Sequence, residues 1–343
     1  MRSIALLAVC GAAALALGLG AAATDPREPS SRAVRHAPAR EPDGLLVFAV
    51  LSPERAMVAD PRTGSTVARQ LPGGTLCHGP VLAFGDRVLI FGVRRSRVVP
   101  RSLALRGDGP ARSLGQADTV IDSSAPGRLW LGRWTRQGDR TARLALREID
   151  AAGHVFARTR WRLPRWATEN AVMDDGSLLI TRGRGVVLRR PGGSRLRFAG
   201  GSPLAAGGDR FAWHDRTSSG VRLWTRDGGQ RAFDPPAGLR LDDTGGAAFS
   251  PDGRRLALTV TAHERSRVAV IDLATGLWRV APGAGVAGYK AIAWSPSGRW
   301  LYFTGPHHRL LASRGGIDRA RPLPIRTGGT VMSIASTPGS AAR

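Results

Sequence analysis

Histidines and carboxylates recur in pairs late in the chain: His214-Asp215, His263-Glu264 and His307-His308, with Asp242-Asp243 between the first two and His78 far upstream. Imidazole and carboxylate are the groups that ligate divalent metals or move protons near neutral pH. Their spacing is not that of a helix-borne site, and the chain has no HExxH zinc helix, GxSxG elbow, phosphate-binding P-loop or strand-GxGxxG signature. Any active site must therefore be assembled from separate segments. A second group is basic. Arg158, Arg160 and Arg162 alternate with Thr159, Trp161 and Leu163, so a strand would put three guanidinium groups on one side. Arg195 and Arg197 repeat the pattern, and Arg94, Arg95 and Arg97 precede it. Such a face can bind anions. Long arginine stems also cover apolar strands and keep outer edges from pairing.

The whole chain is basic, with a formal net charge of +24, and Lys290 is its one lysine. A positive surface attracts anionic partners such as lipid headgroups, cell-wall polyanions or nucleic acid. The cysteines are Cys10 and Cys77. With Cys10 in the leader described next, one thiol is left, and neither an internal disulfide nor a CxxC metal pair is available. No cofactor follows from these residues; a divalent metal is expected only if the scattered histidines and carboxylates converge.

Residues 1–23, MRSIALLAVCGAAALALGLGAAA, join a positive Arg2 to an uninterrupted apolar run ending in Ala21-Ala22-Ala23. That is the pattern of a signal peptide cleaved before Thr24. The run is also just long enough for an uncleaved anchor, and Leu7-Ala8-Val9-Cys10 resembles a lipobox with a bulky Val9. All three readings place the remainder outside the cytoplasm, secreted or held at the cell envelope. Nucleic acid then becomes the least expected ligand. Residues 24–43 are rich in Pro, Arg, Ser and Glu and read as a flexible tether.

The elements that would position the candidate residues are short and repeated. Hydrophobic residues make up 42% of the chain and charged ones 22%, enough apolar material for a sizeable core, while 44 Gly and 23 Pro point to many turns. AAFSPDGRRLALTV (247–260) matches AIAWSPSGRWLYFTG (291–305), the glycines at 253 and 298 lying 45 residues apart. Weaker copies turn at Gly85, Gly127, Gly176, Gly208 and Gly339, at successive steps of 42, 49, 32, 45, 45 and 41 residues along the series. VAVIDLATGLWRVAPG (268–283) matches AMVADPRTGSTVARQLPGG (56–74), setting Asp272 and Gly276 on Asp60 and Gly64. Periods near 40–45 with several short strands each mark propeller blades. The FSPDG turn and the DLATG hairpin resemble the WD40-like repeats of the TolB-type propeller family. The resemblance is good over 247–305 and degenerate elsewhere. It implies a fold and is nearly silent on chemistry.

The expected architecture is all-β: a single β-propeller over residues 44–339, with a short tail at 340–343. LLVFAVL (45–51), RAMVAD (55–60) and TVARQL (66–71) read as strands two to four of a blade lacking its innermost strand. TVMSIAST (330–337) reads as an innermost strand without a blade. Joining them closes the ring and hides its edges. This gives about seven four-stranded blades; six is the alternative if the 32-residue step is a broken blade, and a β-sandwich predicts no such period. The histidine pairs fall at the loops between second and third strands, and His78 and Asp242-Asp243 at the links between blades, all on one face. Trp130, Trp213, Trp294 and Trp300 are expected to pack within blades, and Trp134, Trp161 and Trp166 to be more exposed. The function expected is an interaction platform, monomeric, for an envelope or secreted protein or an anionic cell-surface polymer, with a membrane tether through the N-terminus possible. The alternative is a propeller hydrolase or lyase using the histidine rim.

Overall fold

The serine turns form as their residues dictate. Ser250 Oγ accepts the N–H of Arg255 at 2.9 Å, its own N–H donates to Arg255 O at 2.9 Å, and Gly253 N–H closes onto Ser250 O at 2.8 Å. Ser295 repeats the arrangement with Trp300 and Gly298, at 3.1, 2.7 and 2.8 Å. Gly253 and Gly298 take φ of 66° and 68°, open to glycine at little cost. In the outer hairpins, Asp272 Oδ1 accepts the N–H groups of Ala274 and Thr275 at 3.0 and 2.9 Å, and Gly276 N–H donates to Asp272 O at 2.8 Å. Asp60 does the same for Arg62 N–H and Gly64 N–H, each at 2.9 Å.

The structure is a computed structural model describing residues 41–50, 55–70, 81–84, 87–94, 97–104, 112–123, 128–136, 140–150, 152–164, 167–182, 185–198, 200–242, 246–285 and 292–337. The leader, the tether as far as Arg40, Cys77, His78, Arg95, Trp166, Asp243 and everything after Thr337 lie outside these residues.

Seven antiparallel blades follow in chain order. Blade 1 contains Leu45–Val50, Arg55–Ala59 and Thr66–Gln70, with Val331–Thr337 innermost. Blade 2 is Leu82–Phe84, Arg87–Arg94, Arg97–Ala104 and Arg112–Ser113, and blade 3 is Thr119–Ser123, Arg128–Arg136, Thr141–Asp150 and Val155–Pro164. Blade 4 is Thr168–Val172, Leu178–Arg182, Gly185–Arg189 and Arg195–Phe198, and blade 5 is Gly201–Gly207, Arg210–Asp215, Gly220–Thr225 and Gln230–Phe233. In blade 6 the innermost strand is broken into Leu239–Leu241 and Ala247–Phe249, both paired with Arg255–Ala262, ahead of Arg265–Asp272 and Trp278–Gly285. Blade 7 is Ile292–Trp294, Trp300–Thr304, Leu310–Arg314 and Arg321–Pro322.

The 32-residue step thus holds a complete, compact blade 4, and the six-blade alternative falls. Its strands run only four or five residues and are joined by tight links. Its innermost strand also pairs in parallel with that of blade 3, Ala171 with Asp122 and Val172 with Ser123.

The ring closes as the strand pattern requires. Leu45–Val50 lies between Arg55–Ala59 and Val331–Thr337, antiparallel to both. The face so formed joins Leu46, Phe48, Val50, Val331 and Ile334 to Trp300 and Tyr302 of blade 7 in one buried cluster. Tyr302 is fully buried and its hydroxyl donates to Asp43 O at 2.7 Å, while the Asp43 carboxylate accepts from Ser297 Oγ at 3.0 Å. Arginines stitch neighbouring blades elsewhere. Arg210 Nη1 donates to Gly253 O at 3.0 Å, and Arg255 Nη2 donates to Gly298 O at 2.5 Å.

Removing residues 331–337 would bare Leu45–Val50 along one edge and uncover Phe48. The truncated chain is expected to lose its single cooperative thermal transition, followed by circular dichroism, or to aggregate on purification; an unchanged transition would refute this closure.

Candidate functional site

Among the described residues, the histidine rim gathers no group of three metal-ligating side chains. His214 and Asp215 end the second strand of blade 5 and are both buried. Asp215 is committed to the turn that follows. It accepts from Thr217 N–H at 2.9 Å, Thr217 Oγ1 at 2.6 Å, Ser218 Oγ at 3.0 Å and Arg222 Nε at 3.0 Å. Burial alone would raise its pKa, but these donors outweigh it and hold the carboxyl well below the usual carboxylate range. His263 and Glu264 are exposed and form the two-residue link between Ala262 and Arg265, with φ of 47° and 61°. Positive φ at both central residues is what a type I′ hairpin turn demands, so these two serve chain reversal. His307 and His308 also take positive φ, in the 3-10 turn Pro306–His308. His308 Nε2 lies 3.3 Å from Thr330 Oγ1, and its buried Nδ1 has no hydrogen-bond partner. Asp242 sits at the break in the inner strand of blade 6 and accepts from Ser266 Oγ at 3.2 Å. Among the described residues, no three His, Cys, Asp or Glu side chains are placed to hold a metal ion. His78 and Asp243 fall outside those residues.

The basic group does assemble. Val155–Pro164 is the outer strand of blade 3, and Arg158, Arg160 and Arg162 are all exposed on one face of it. Register then adds arginines from the two strands beneath. Arg162 lies opposite Arg143 and Arg158 opposite Arg147, while Ala145 lies between Arg160 on one side and Arg133 on the other. Three strands thus present a ring of arginines around one small residue. The opposite faces of the two outer strands carry Leu144, Leu146, Trp161 and Leu163 into the apolar interface with blade 4.

The arginine face looks toward blade 2, because Leu129 and Leu131 from the same side of the sheet pack with Leu89 there. Blade 3 ends in two ten-residue strands, whereas the described outer strand of blade 2 is only Arg112–Ser113. The described residues of blade 2 leave this face uncovered. An open pocket of about 640 Å³ results, lined by Gly115, Arg133, Ala145, Arg147, Arg158 and Arg160 among others. Arg147 is fixed by donating to Leu114 O at 2.7 Å, and a Cβ on Gly115 would lie 2.8 Å from its Nη2. No carboxylate among the described residues pairs with Arg133, Arg158 or Arg160. Like charges directly across a ladder repel, so the facing Arg147 and Arg158 burden the sheet unless an anion lies between them.

Arg195 and Arg197 stand apart from this pocket. They are exposed on the outer strand of blade 4, opposite Arg189 and Val187, on the side that meets blade 3 from the other direction. Burial, with Arg195 nearby, lowers the pKa of the Arg189 guanidinium, which reaches across to donate to Arg162 O at 2.7 Å.

No family model matches the chain, and no curated protein matches it. Solved structures do. TolB from Acinetobacter baumannii superposes with a TM-score of 0.52 at 11% identity, over 86% of this chain and 67% of that one. A protein from Lactobacillus plantarum gives 0.54 at 12%, over 85% and 99%. An acylaminoacyl peptidase gives 0.51 at 13%, over 81% of this chain and 49% of the peptidase. The likeness is one of fold. The chain is a seven-bladed β-propeller similar in fold, at low identity, to these structures, and at these identities its chemistry rests on its own residues.

Arg133, Arg143 and Arg147 escape a reading of the sequence, although Arg143 and Arg147 share a strand face by their even spacing. Only the register between strands sets them beside Arg158–Arg162. Trp161, expected to be exposed, is buried against blade 4 at 7% exposure, because the residues on either side of it carry the arginines outward. Trp130, Trp213, Trp294 and Trp300 are buried as expected.

Asp215→Asn keeps the shape of the blade 5 turn and removes the charge its donors face. It is expected to cost about 2–3 kcal/mol at pH 7 in urea unfolding. A depressed carboxylate pKa stabilises the fold above its unfolded value and is lost as pH falls toward the folded one. The gap between wild type and variant should therefore hold above about pH 5 and shrink below about pH 4. A gap independent of pH would show that the charge does not matter.

Proposed function

We propose that this chain is an exported propeller acting as an interaction platform, and that its contact surface is the arginine face of blade 3 rather than the loop rim. The observation that carries the reading is the grouping of Arg133, Arg147, Arg158 and Arg160 around Ala145 with no described carboxylate to answer them. A fold that needed these residues only as edge guards would gain by interspersing acids, as it does within other blades, where Asp60, Asp209 and Asp215 pair with Arg62, Arg210 and Arg222. The pocket volume lies in the range of ligand sites, about 300–1,000 Å³. Its charge selects an anionic partner at the envelope or cell surface, the address that the N-terminal sequence pattern suggests.

The full chain and its Arg158→Glu/Arg160→Glu variant can be compared for retention on envelope fractions over a range of salt. The wild type is expected to be retained at low salt and released as salt rises, since each phosphate-type contact adds about 0.7–0.9 to the slope of log affinity against log salt. The variant, both of whose changes lie on an exposed strand face, should fold normally and lose that salt-sensitive retention. Equal retention of both proteins at all salt concentrations would refute the reading.

A further inference from the structure

The spacing of the arginines specifies more than charge. Same-face residues along a strand recur about every 6.6–6.8 Å, so Arg158, Arg160 and Arg162 form a linear ladder of three guanidinium groups at that interval. Arg147 and Arg143 stand across from its two ends, on the neighbouring strand about 4.8 Å away. Between them lies Ala145, the one small side chain in the middle row, with Arg133 beyond it. The result is a shallow, straight track with cations along both sides and a low floor. Compact anions do not need such a track. A chain whose anions repeat at the strand interval does.

Resting on the reading of this face as the contact surface, we infer that blade 3 binds an extended phosphodiester chain of the alditol-phosphate kind along Arg158, Arg160 and Arg162. Six single bonds separate successive phosphorus atoms across a three-carbon unit, a reach of about 7 Å at ordinary bond lengths. That matches one phosphate per arginine of the ladder. Each phosphate meets a guanidinium whose planar donors fit phosphate oxygens two at a time. Ala145 leaves room for the carbon units, and Arg133 and Arg147 close the track toward blade 2, where Leu114 O holds Arg147 in place.

A nucleic acid strand has the same six-bond repeat, but it also carries bases, and proteins that bind single strands supply aromatic side chains to stack them. The described arginine face has none. Its rows are Arg133, Leu131 and Thr135; Arg143, Ala145 and Arg147; and Arg158, Arg160 and Arg162. Of the two aromatic side chains of this strand, Trp161 is buried on the opposite face, and Phe156 lies against the guanidinium of Arg128, which is 3.6 Å from the ring centroid and belongs to that opposite face too. The ladder therefore fits a bare phosphodiester backbone, and bound polymer would also relieve the repulsion between the facing Arg147 and Arg158.

The test titrates the full chain with three end-labelled oligomers of equal charge, read by fluorescence anisotropy: a glycerol-phosphate oligomer, an oligogalacturonate and oligo-dT. The glycerol-phosphate oligomer is expected to bind at least 10-fold more tightly than either of the others. Arg160→Ala should weaken it at least 10-fold. Ala145→Leu, which raises the floor while leaving every arginine in place, should do the same with little change in melting temperature. Equal binding of the uronate oligomer would overturn the phosphodiester assignment while leaving the anionic contact surface standing. Tighter binding of oligo-dT would overturn it in favour of nucleic acid. If none of the three binds while the Arg158→Glu/Arg160→Glu variant still loses envelope retention, the polymer class is wrong and the contact surface is right. If that variant keeps its retention, the contact surface itself is wrong.

Discussion

Everything in this ring depends on a strand contributed from the far end of the chain. Leu45–Val50 has no sequence neighbour on its inner side, and its buried face would be unstable as an open edge. Val331–Thr337 fills that position in register, and the cluster made there reaches into blade 7 through Trp300 and Tyr302. Closure is therefore both hydrogen bonding and packing. The Tyr302 hydroxyl and the Asp43 carboxylate add polar contacts where the chain enters the ring.

Arginine does two kinds of work around this frame. Some guanidinium groups spend their donors on the backbone of the next blade. Arg210 reaches Gly253 O, Arg255 reaches Gly298 O, and Arg231 reaches the carbonyls of Leu273 and Ala274. These carbonyls lie at turns, where the sheet ladder offers no donor, so arginine completes them. The blade 3 group is different: Arg147 is held by the Leu114 carbonyl, while Arg133, Arg158 and Arg160 line an open pocket with no described carboxylate beside them. A blade with two ten-residue outer strands stands beside one whose described outer strand is two residues long. Among the described residues this mismatch leaves the face exposed, and the alternation of arginine with Trp161 and Leu163 makes it cationic without disturbing the apolar seam behind it.

How much of this was legible in the sequence follows from the range of each interaction. The FSPDG and DLATG turns are closed by bonds spanning no more than five residues, so the sequence pattern identifies them directly. The ring closure was legible because a blade short of one strand and a strand without a blade are visible at the two ends. Blade number was ambiguous at the 32-residue step, since a compact blade with four- and five-residue strands looks like a fragment until its pairing is known. The histidine rim was the weakest inference. Proximity to one kind of loop says nothing of direction, and Asp215 and the His263-Glu264 pair prove to be occupied in shaping turns. The arginine face was half visible, three residues of it in one strand. Arg133, Arg143 and Arg147 belong to it only through cross-strand register, which no local pattern encodes.

The way the chain enters the ring has a mechanical consequence. The residues before Leu45 lead into a strand clamped on both sides, by Arg55–Ala59 and by Val331–Thr337. Tension along that strand from an anchored N-terminus would load two ladders of hydrogen bonds in shear, all at once, instead of peeling them one after another from a free edge. The same closure that seals the propeller thus makes the start of the ring the part of the chain that would bear load, were the chain held at its N-terminus.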